Sequence, residues 1–210
     1  MQFNFCLMTF VLSFGLLSSA IAYNDENPRS GLERLIAGNK RYQEDKTTCP
    51  ARHQERRIAS HSKQKPFAIV LGCSDSRVSP ELVFDQGVGD LFVVRDAGNI
   101  VGDSELDSIN YSAIYNNSSV IVVLGHEKCG AVTAVLENQT ADIQHIAKHI
   151  ERALDGKKLT LDKAVEENIK YGVEMIKNSP PIAERIKSGK VIVVGAYYHL
   201  KTGEVTFFKE

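Results

Sequence analysis

Four short apolar runs constrain this chain more than anything else in it: PFAIVLG from Pro66 to Gly72, LFVVR from Leu91 to Arg95, SVIVVLG from Ser119 to Gly125 and VIVVGAY from Val191 to Tyr197. None of them alternates with polar residues. A β-branched run that is apolar at every position must be dry on both faces, and a parallel sheet covered on both sides provides that. Parallel neighbours require long crossovers. The chain supplies helical spacing for them at Ser104 to Tyr115, Gly130 to Glu137, Ile143 to Leu154 and Leu161 to Ile176. Alternating strands and helices predict an α/β fold with a mostly parallel central sheet of four strands, flanked by helices. Thr202 to Phe208 alternates and predicts an antiparallel C-terminal edge strand. Ahead of the sheet, Asn27 to Asp45 carries Leu32, Leu35, Ile36 and Tyr42 at helical spacing. A basic, polar connector from Lys46 to Lys65 follows.

A length of 210 residues suits one domain with a substantial core. The formal net charge of -1 lacks the basic excess that nucleic acid or an anionic membrane asks of a partner. Met1 to Ala22 contains no charged side chain and ends in Ala20-Ile21-Ala22, the small-residue pattern of a signal-peptide cleavage site. The organisation expected is a signal peptide at 1–22, an N-terminal helical arm and connector at 23–65, and an α/β core at 66–210. The mature protein is expected to be exported, periplasmic or secreted. Its leader's apolar stretch is shorter than the ~20 residues of a spanning helix, so no stable membrane span is expected in the mature form. Cleavage removes Cys6 and leaves Cys49, Cys73 and Cys129, an odd set that does not make a disulfide framework.

Two of the buried runs end in unusual chemistry. One leads into Cys73-Ser74-Asp75-Ser76-Arg77, the other into His126-Glu127-Lys128-Cys129-Gly130. Ligands of open α/β sheets bind beyond the carboxyl ends of the strands, so neighbouring strands would bring both tips to one crevice. Two thiolates and an imidazole suit zinc, and a three-ligand set with one open position marks a catalytic site. Cys129 and Gly130 also open a predicted helix, whose N-terminus favours thiolate. Each cysteine taken alone is equally compatible with a small apolar core residue. Two thiolates quench the cation's charge, so a carboxylate able to accept a water's hydrogen bond is useful nearby, and Arg77 can clamp Asp75 for that purpose. The plainer reading of that pair is a solvated loop ion pair. His145 and His149 lie four apart on a predicted helix, but only Ile146-Ala147-Lys148 separates them, and exposed helical histidines are the better reading. His53, His61 and His199 are candidate proton relays with nothing to single one out.

Cys73-Ser74-Asp75-Ser76-Arg77-Val78 together with His126-x-x-Cys129-Gly130 resembles the β-class carbonic anhydrases. So do Asp85 to Asp90, Leu91 to Arg95, Ala97-Gly98-Asn99-Ile100 and the Ala37 to Tyr42 helix. The resemblance implies one zinc ion per subunit on Cys73, His126 and Cys129, with an Asp75–Arg77 dyad beside it. It implies reversible hydration of CO2 to bicarbonate and a proton through zinc-bound hydroxide. Gln64, nine residues before Cys73, and the backbone N–H of Gly130 would bind the substrate, and Phe92 and Ala97 would line an apolar pocket. Some members close the site by turning the aspartate onto zinc, and these often carry a tryptophan three residues before the first cysteine. Val70 stands there, and the chain has no tryptophan. Arg95 therefore lacks that neighbour, and the open form is expected. The resemblance further implies a homodimer or higher even homo-oligomer. Its helical arm would carry Leu32, Leu35 and Ile36 across a partner subunit, with packing on its own domain as the other possibility. A hydrolase of CS2 or COS and a zinc-stabilised structural domain are the competing functions.

Overall fold

The computed structural model describes residues 27–48 and 53–209. The expected leader at 1–22, Cys6 and Cys49 lie outside the described residues. Strands β1 (Ala68–Gly72), β2 (Leu91–Arg95), β3 (Val120–His126), β4 (Ile192–Tyr198) and β5 (Val205–Phe207) form one sheet in the order β2-β1-β3-β4-β5. The first four run parallel, and β5 pairs antiparallel with β4 at the edge. Helices α1 (Pro28–Gln43), α2 (Gln54–Ser60), α3 (Pro80–Val83), α4 (Asp103–Tyr115), α5 (Gly130–Leu136), α6 (Gln144–Leu154), α7 (Leu161–Lys177) and α8 (Pro180–Lys187) complete the described chain. Two of them were not foreseen. α2 falls inside the polar connector and buries none of its residues, so no apolar stripe betrays it. α8 begins at Pro180-Pro181, where paired prolines suit a first turn because the amides they lack need no intrahelical partner.

The sheet divides its side chains between two cores, which is why the strand sequences do not alternate. Ile69, Leu71, Ile121, Val123, Val193 and Tyr197 face one layer with Ile109, Ile150, Val165, Ile169 and Ile182. Ala68, Val70, Val120, Val122, Leu124, Val194 and Ala196 face the other with Leu35, Val78, Val83 and Phe84. Each full burial of a Val, Leu or Ile side chain stabilises by roughly 1.5–3 kcal/mol relative to exposure.

α1 is joined to its own domain. Leu35 is fully buried in the second core, while Ile36 remains exposed. A Cβ at Gly38 would stand 1.8 Å from the Phe84 carbonyl oxygen, so only glycine lets this helix come so close. Next to it Asn39 donates to the carbonyls of Val83 at 3.1 Å and Gly203 at 2.8 Å and accepts from the Val205 N–H at 2.9 Å. Arg41 Nε reaches the buried carboxylate of Asp85 at 2.6 Å. Of the two placements open in the sequence for Leu32, Leu35 and Ile36, Leu35 takes the intramolecular one and Leu32 packs against the same core.

In-register pairing sets the level of the site. Gly72, the last residue of β1, lies between Arg95 of β2 and Leu124 of β3. β3 runs two residues further and ends on His126. The next residue of β1's chain, Cys73, therefore emerges beside the tip of β3.

Candidate metal centre

Cys73, His126 and Cys129 converge. Their ligand atoms lie within 4.8 Å of one another and all three residues are buried. The turn between the last two passes through Lys128, at φ 54°, and then Cys129 takes the N-cap position of α5. His126 Nδ1 is 2.8 Å from the carbonyl oxygen of Glu127. A carbonyl only accepts, so Nδ1 carries the proton and Nε2 presents its lone pair to the sulfurs. That Nε2 is buried and has no hydrogen-bond partner. An orphaned acceptor in a dry site is costly, and a soft cation held by sulfur, nitrogen and sulfur removes the cost. This donor set fits zinc.

The two sulfurs lie close enough to shift each other's titration in opposite directions. The Cys129 thiol beside it holds Cys73 below the usual thiol range, with burial opposing and the His126 ring and Gly98 N–H assisting. Cys129 is pushed up by the same bond to Cys73 and by burial, against the N–H groups of Val132 and Ala131 at the start of α5. Burial works against a proton on His126, but Cys73, the Glu127 carbonyl and Asp75 together outweigh it and the imidazole is shifted upward. Protons on such a cluster are what a divalent cation displaces on binding.

Asp75 and Arg77 form a fork. Arg77 Nε donates to Asp75 Oδ1 at 2.9 Å and Nη2 to Oδ2 at 2.7 Å, while the Arg77 backbone N–H donates to Oδ1 at 2.9 Å. The Arg77 side chain holds the Asp75 carboxyl far below the usual carboxylate range, against a smaller opposing effect of burial. Oδ2 also stands 3.8 Å from His126 Nε2, so the clamped carboxylate borders the cluster while bonded to Arg77.

Two supports of this turn had no such specific role in the sequence reading. Arg95, at the end of β2, donates from Nε to the Cys73 carbonyl at 3.0 Å and from Nη2 to the Asp75 carbonyl at 2.8 Å. It braces the backbone on which a ligand and the carboxylate sit. Its signal was its position at a strand tip beside Gly72. The second support is Gly98, whose N–H donates to Cys73 Sγ at 3.2 Å. Only its place in Ala97-Gly98-Asn99 could have pointed to it.

The expected substrate residues are spread out. Gly130, at the first position of α5, is exposed, with nothing within 4 Å of a Cβ built on it. Ala97 follows β2 and donates its N–H to Asp96 Oδ1 at 2.6 Å. Phe92 is half-buried one residue into β2, below the tips, with its ring 6.2 Å from Tyr111. Gln64 is exposed in the segment before β1, and among the described residues no hydrogen bond joins it to the cluster. His145 and His149 fall on α6, and among the described residues neither belongs to a cluster of three or more metal-ligating side chains. His199 packs against Tyr197, with ring centroids 4.9 Å apart, and pairs with the Thr206 hydroxyl. None of the described helices is long and apolar enough to cross a membrane.

Comparison with known proteins agrees with this geometry. A family model described as carbonic anhydrase matches residues 68–205. Carbonic anhydrase 2 of Mycobacterium tuberculosis strain H37Rv is 36% identical over 188 residues, which covers 84% of this chain and 91% of that protein. The carbonic anhydrase of Mycolicibacterium smegmatis is 35% identical over 192 residues, covering 86% of this chain and 93% of its own. Among solved structures, the β-carbonic anhydrase CcaA superposes with a TM-score of 0.68 at 28% identity, covering 86% of this chain and 88% of that one. The β-carbonic anhydrase of Coccomyxa gives a TM-score of 0.65 at 26% identity, covering 85% and 81%.

Proposed function

Because this chain belongs to the β-class carbonic anhydrases, we propose that it interconverts CO2 and bicarbonate at one zinc ion per subunit, held by Cys73, His126 and Cys129. The observation that carries this reading is the buried convergence of those three ligand atoms, with His126 Nε2 unpartnered among them. Bound there, zinc supplies the Lewis acidity that lets a water molecule lose its proton near neutral pH.

The chain's own residues do the rest. Asp75, kept ionised by Arg77, accepts a hydrogen bond from water at Oδ2 and so orients the lone pair that attacks CO2 carbon. Arg77 holds the carboxylate in that position by its paired bonds. This arrangement supports an open site in which Asp75 serves as acceptor rather than ligand. Gly130 leaves its backbone accessible at the start of α5, a suitable donor for the bicarbonate oxygen. Ala97 offers an apolar wall to an uncharged substrate, whereas Phe92, below the strand tips, and Gln64, in the segment before β1, stand apart from the cluster within one subunit.

A second copy of the chain is the expected partner. β2 is an edge strand whose Leu91, Phe92, Val93 and Val94 are only half-buried. Beside it Phe92, Tyr111 and Tyr115 form a chain of rings 6.2 and 5.3 Å apart, and Tyr111, Ile114 and Tyr115 are exposed. An exposed apolar face next to an unpaired edge suits an interface between subunits. The homodimer is proposed on this face, and Tyr111→Glu with Tyr115→Glu should shift the mass in light scattering to that of a monomer. Export is proposed from the leader alone, and the first residue of the mature protein tests it: Tyr23 is expected.

Metal analysis combined with stopped-flow CO2 hydration tests the catalytic reading, with CS2 and COS as parallel substrates. Zinc near one equivalent and rapid hydration are expected. A protein that binds zinc yet hydrates CO2 no faster than buffer would overturn the reading.

A further inference from the structure

Consecutive residues of α7 touch the backbone beside both halves of the ligand set. Ile169 packs on Gly125, just before His126, where a Cβ would meet its side chain at 2.6 Å. Asn168, 3% exposed, donates from Nδ2 to the Gly98 carbonyl at 2.7 Å. Gly98 in turn donates its N–H to Cys73 Sγ at 3.2 Å. At φ +76°, with Ile150 Cδ1 and Ala131 Cβ at 3.0 and 3.2 Å from the place of a Cβ, this position suits glycine alone. The Asn168 amide, the two peptides that meet at the Gly98 Cα and the sulfur form a chain of contacts from the middle of a long helix to a metal ligand.

We propose that Asn168 is a positioning residue for the metal: through Gly98 it aims the N–H that holds and partly neutralises the Cys73 sulfur. The inference rests on the zinc assignment above and goes beyond it, because Asn168 touches no ligand. Removing its amide leaves a buried carbonyl at Gly98 without that donor. With its carbonyl released, Gly98 can rotate about its own φ and ψ, and the Ala97–Gly98 peptide whose N–H meets the sulfur can turn away. Partners that orient ligands in this way typically account for 10–100-fold in metal affinity.

The test compares Asn168→Ala with Asn39→Ala. Both delete a buried amide that donates to carbonyls distant in sequence, but Asn39 serves α1 and β5, away from the cluster. Zinc release to a chelator should accelerate about tenfold or more in Asn168→Ala, and stay within about twofold of wild type in Asn39→Ala by the same scale. Substituting 113Cd for zinc supplies a signature that general destabilisation does not move. In wild type the Gly98 amide proton should couple to 113Cd across the N–H···S bond, and the Asn168 side-chain nitrogen should couple to the Gly98 carbonyl carbon. The cadmium coupling should weaken or vanish in Asn168→Ala and persist in Asn39→Ala. Equal release rates in Asn168→Ala and wild type, or an unchanged cadmium coupling, overturn the inference. Should Asn168→Ala not fold, Asn168→Ser and the two wild-type couplings decide: absence of either coupling in wild type sinks it. A wild-type protein that retains neither zinc nor cadmium defeats the metal reading itself. Wild type that holds metal beside an unaffected Asn168→Ala defeats only the role of Asn168.

Discussion

The two strand tips that build the cluster are made differently. β1 ends at Gly72, where a Cβ would find Pro80 Cγ at an ordinary 3.8 Å, and runs into a turn with Ser74, Ser76 and Arg77 exposed. That turn is held by charge: Arg77 on Asp75, and Arg95 on the carbonyls of Cys73 and Asp75. β3 ends at Gly125, pressed against Ile169, and leads to His126 and Cys129, both fully buried. That tip is held by packing. The difference separates two jobs. The packed tip fixes the imidazole and one sulfur in a dry place, and the charged tip brings the other sulfur together with a carboxylate that must meet water.

If the packed tip anchors the metal, Cys129→Ser should remove zinc and lower CO2 hydration to the uncatalysed rate, read by metal analysis and stopped-flow. Full activity without zinc would erase the distinction. At the charged tip, Asp75→Asn should leave zinc content and fold intact while slowing turnover roughly 100-fold, the lower end of what one preorganised electrostatic contact contributes. Comparing zinc content with kcat in that one variant separates the two jobs directly.

Packing itself can be probed with a single methyl group at each tip. Gly125→Ala should destabilise by about 1–3 kcal/mol, the usual cost of overpacking a filled site. Gly72→Ala has ordinary clearance and should change stability by less than about 1 kcal/mol in either direction. Urea denaturation of both variants checks the contrast, and equal losses would show that both tips are equally packed.

The smallest effect concerns the fork. Asp75 has a folded-state pKa below its unfolded value, so its stabilisation is present above the ordinary carboxylate pKa and is lost as pH falls through the depressed one. Arg77 is half exposed, with 52% of its side chain accessible, and solvent screening keeps the contribution of the pair small. Arg77→Ala should therefore lower stability slightly at pH 7, and the gap to wild type should narrow as pH drops below about 4. A gap that widens in acid would reverse the sign argued here.

Residue types explain what could be read in advance. Apolar, β-branched runs announced four strands, and three of them are buried as expected. β2, expected to be dry on both faces, is a half-buried edge, because among the described residues no strand pairs with its outer side. Cys73, His126 and Cys129 are chemically distinctive, and Asp75 and Arg77 adjoin one of them, so these stood out against a background of Val, Ile and Leu. Arg95, Gly98 and Asn168 did not, because arginine, glycine and asparagine have many ordinary uses and theirs depends on partners 20 to 70 residues away. The placement of α1 was open for a similar reason: an amphipathic stripe asks for burial without naming the surface that provides it.

The order of residues along the chain determined the strand–helix alternation, the kinds of ligand atom and the spacing that lets His126 and Cys129 share one turn, since all of these follow from local periodicity and side-chain chemistry. Tertiary structure alone decided that β1 lies between β2 and β3, so that Cys73 meets His126, and that α7 reaches over both tips. Those outcomes depend on long-range pairing and packing, in which each contact is favourable only once the surfaces on either side of it have formed.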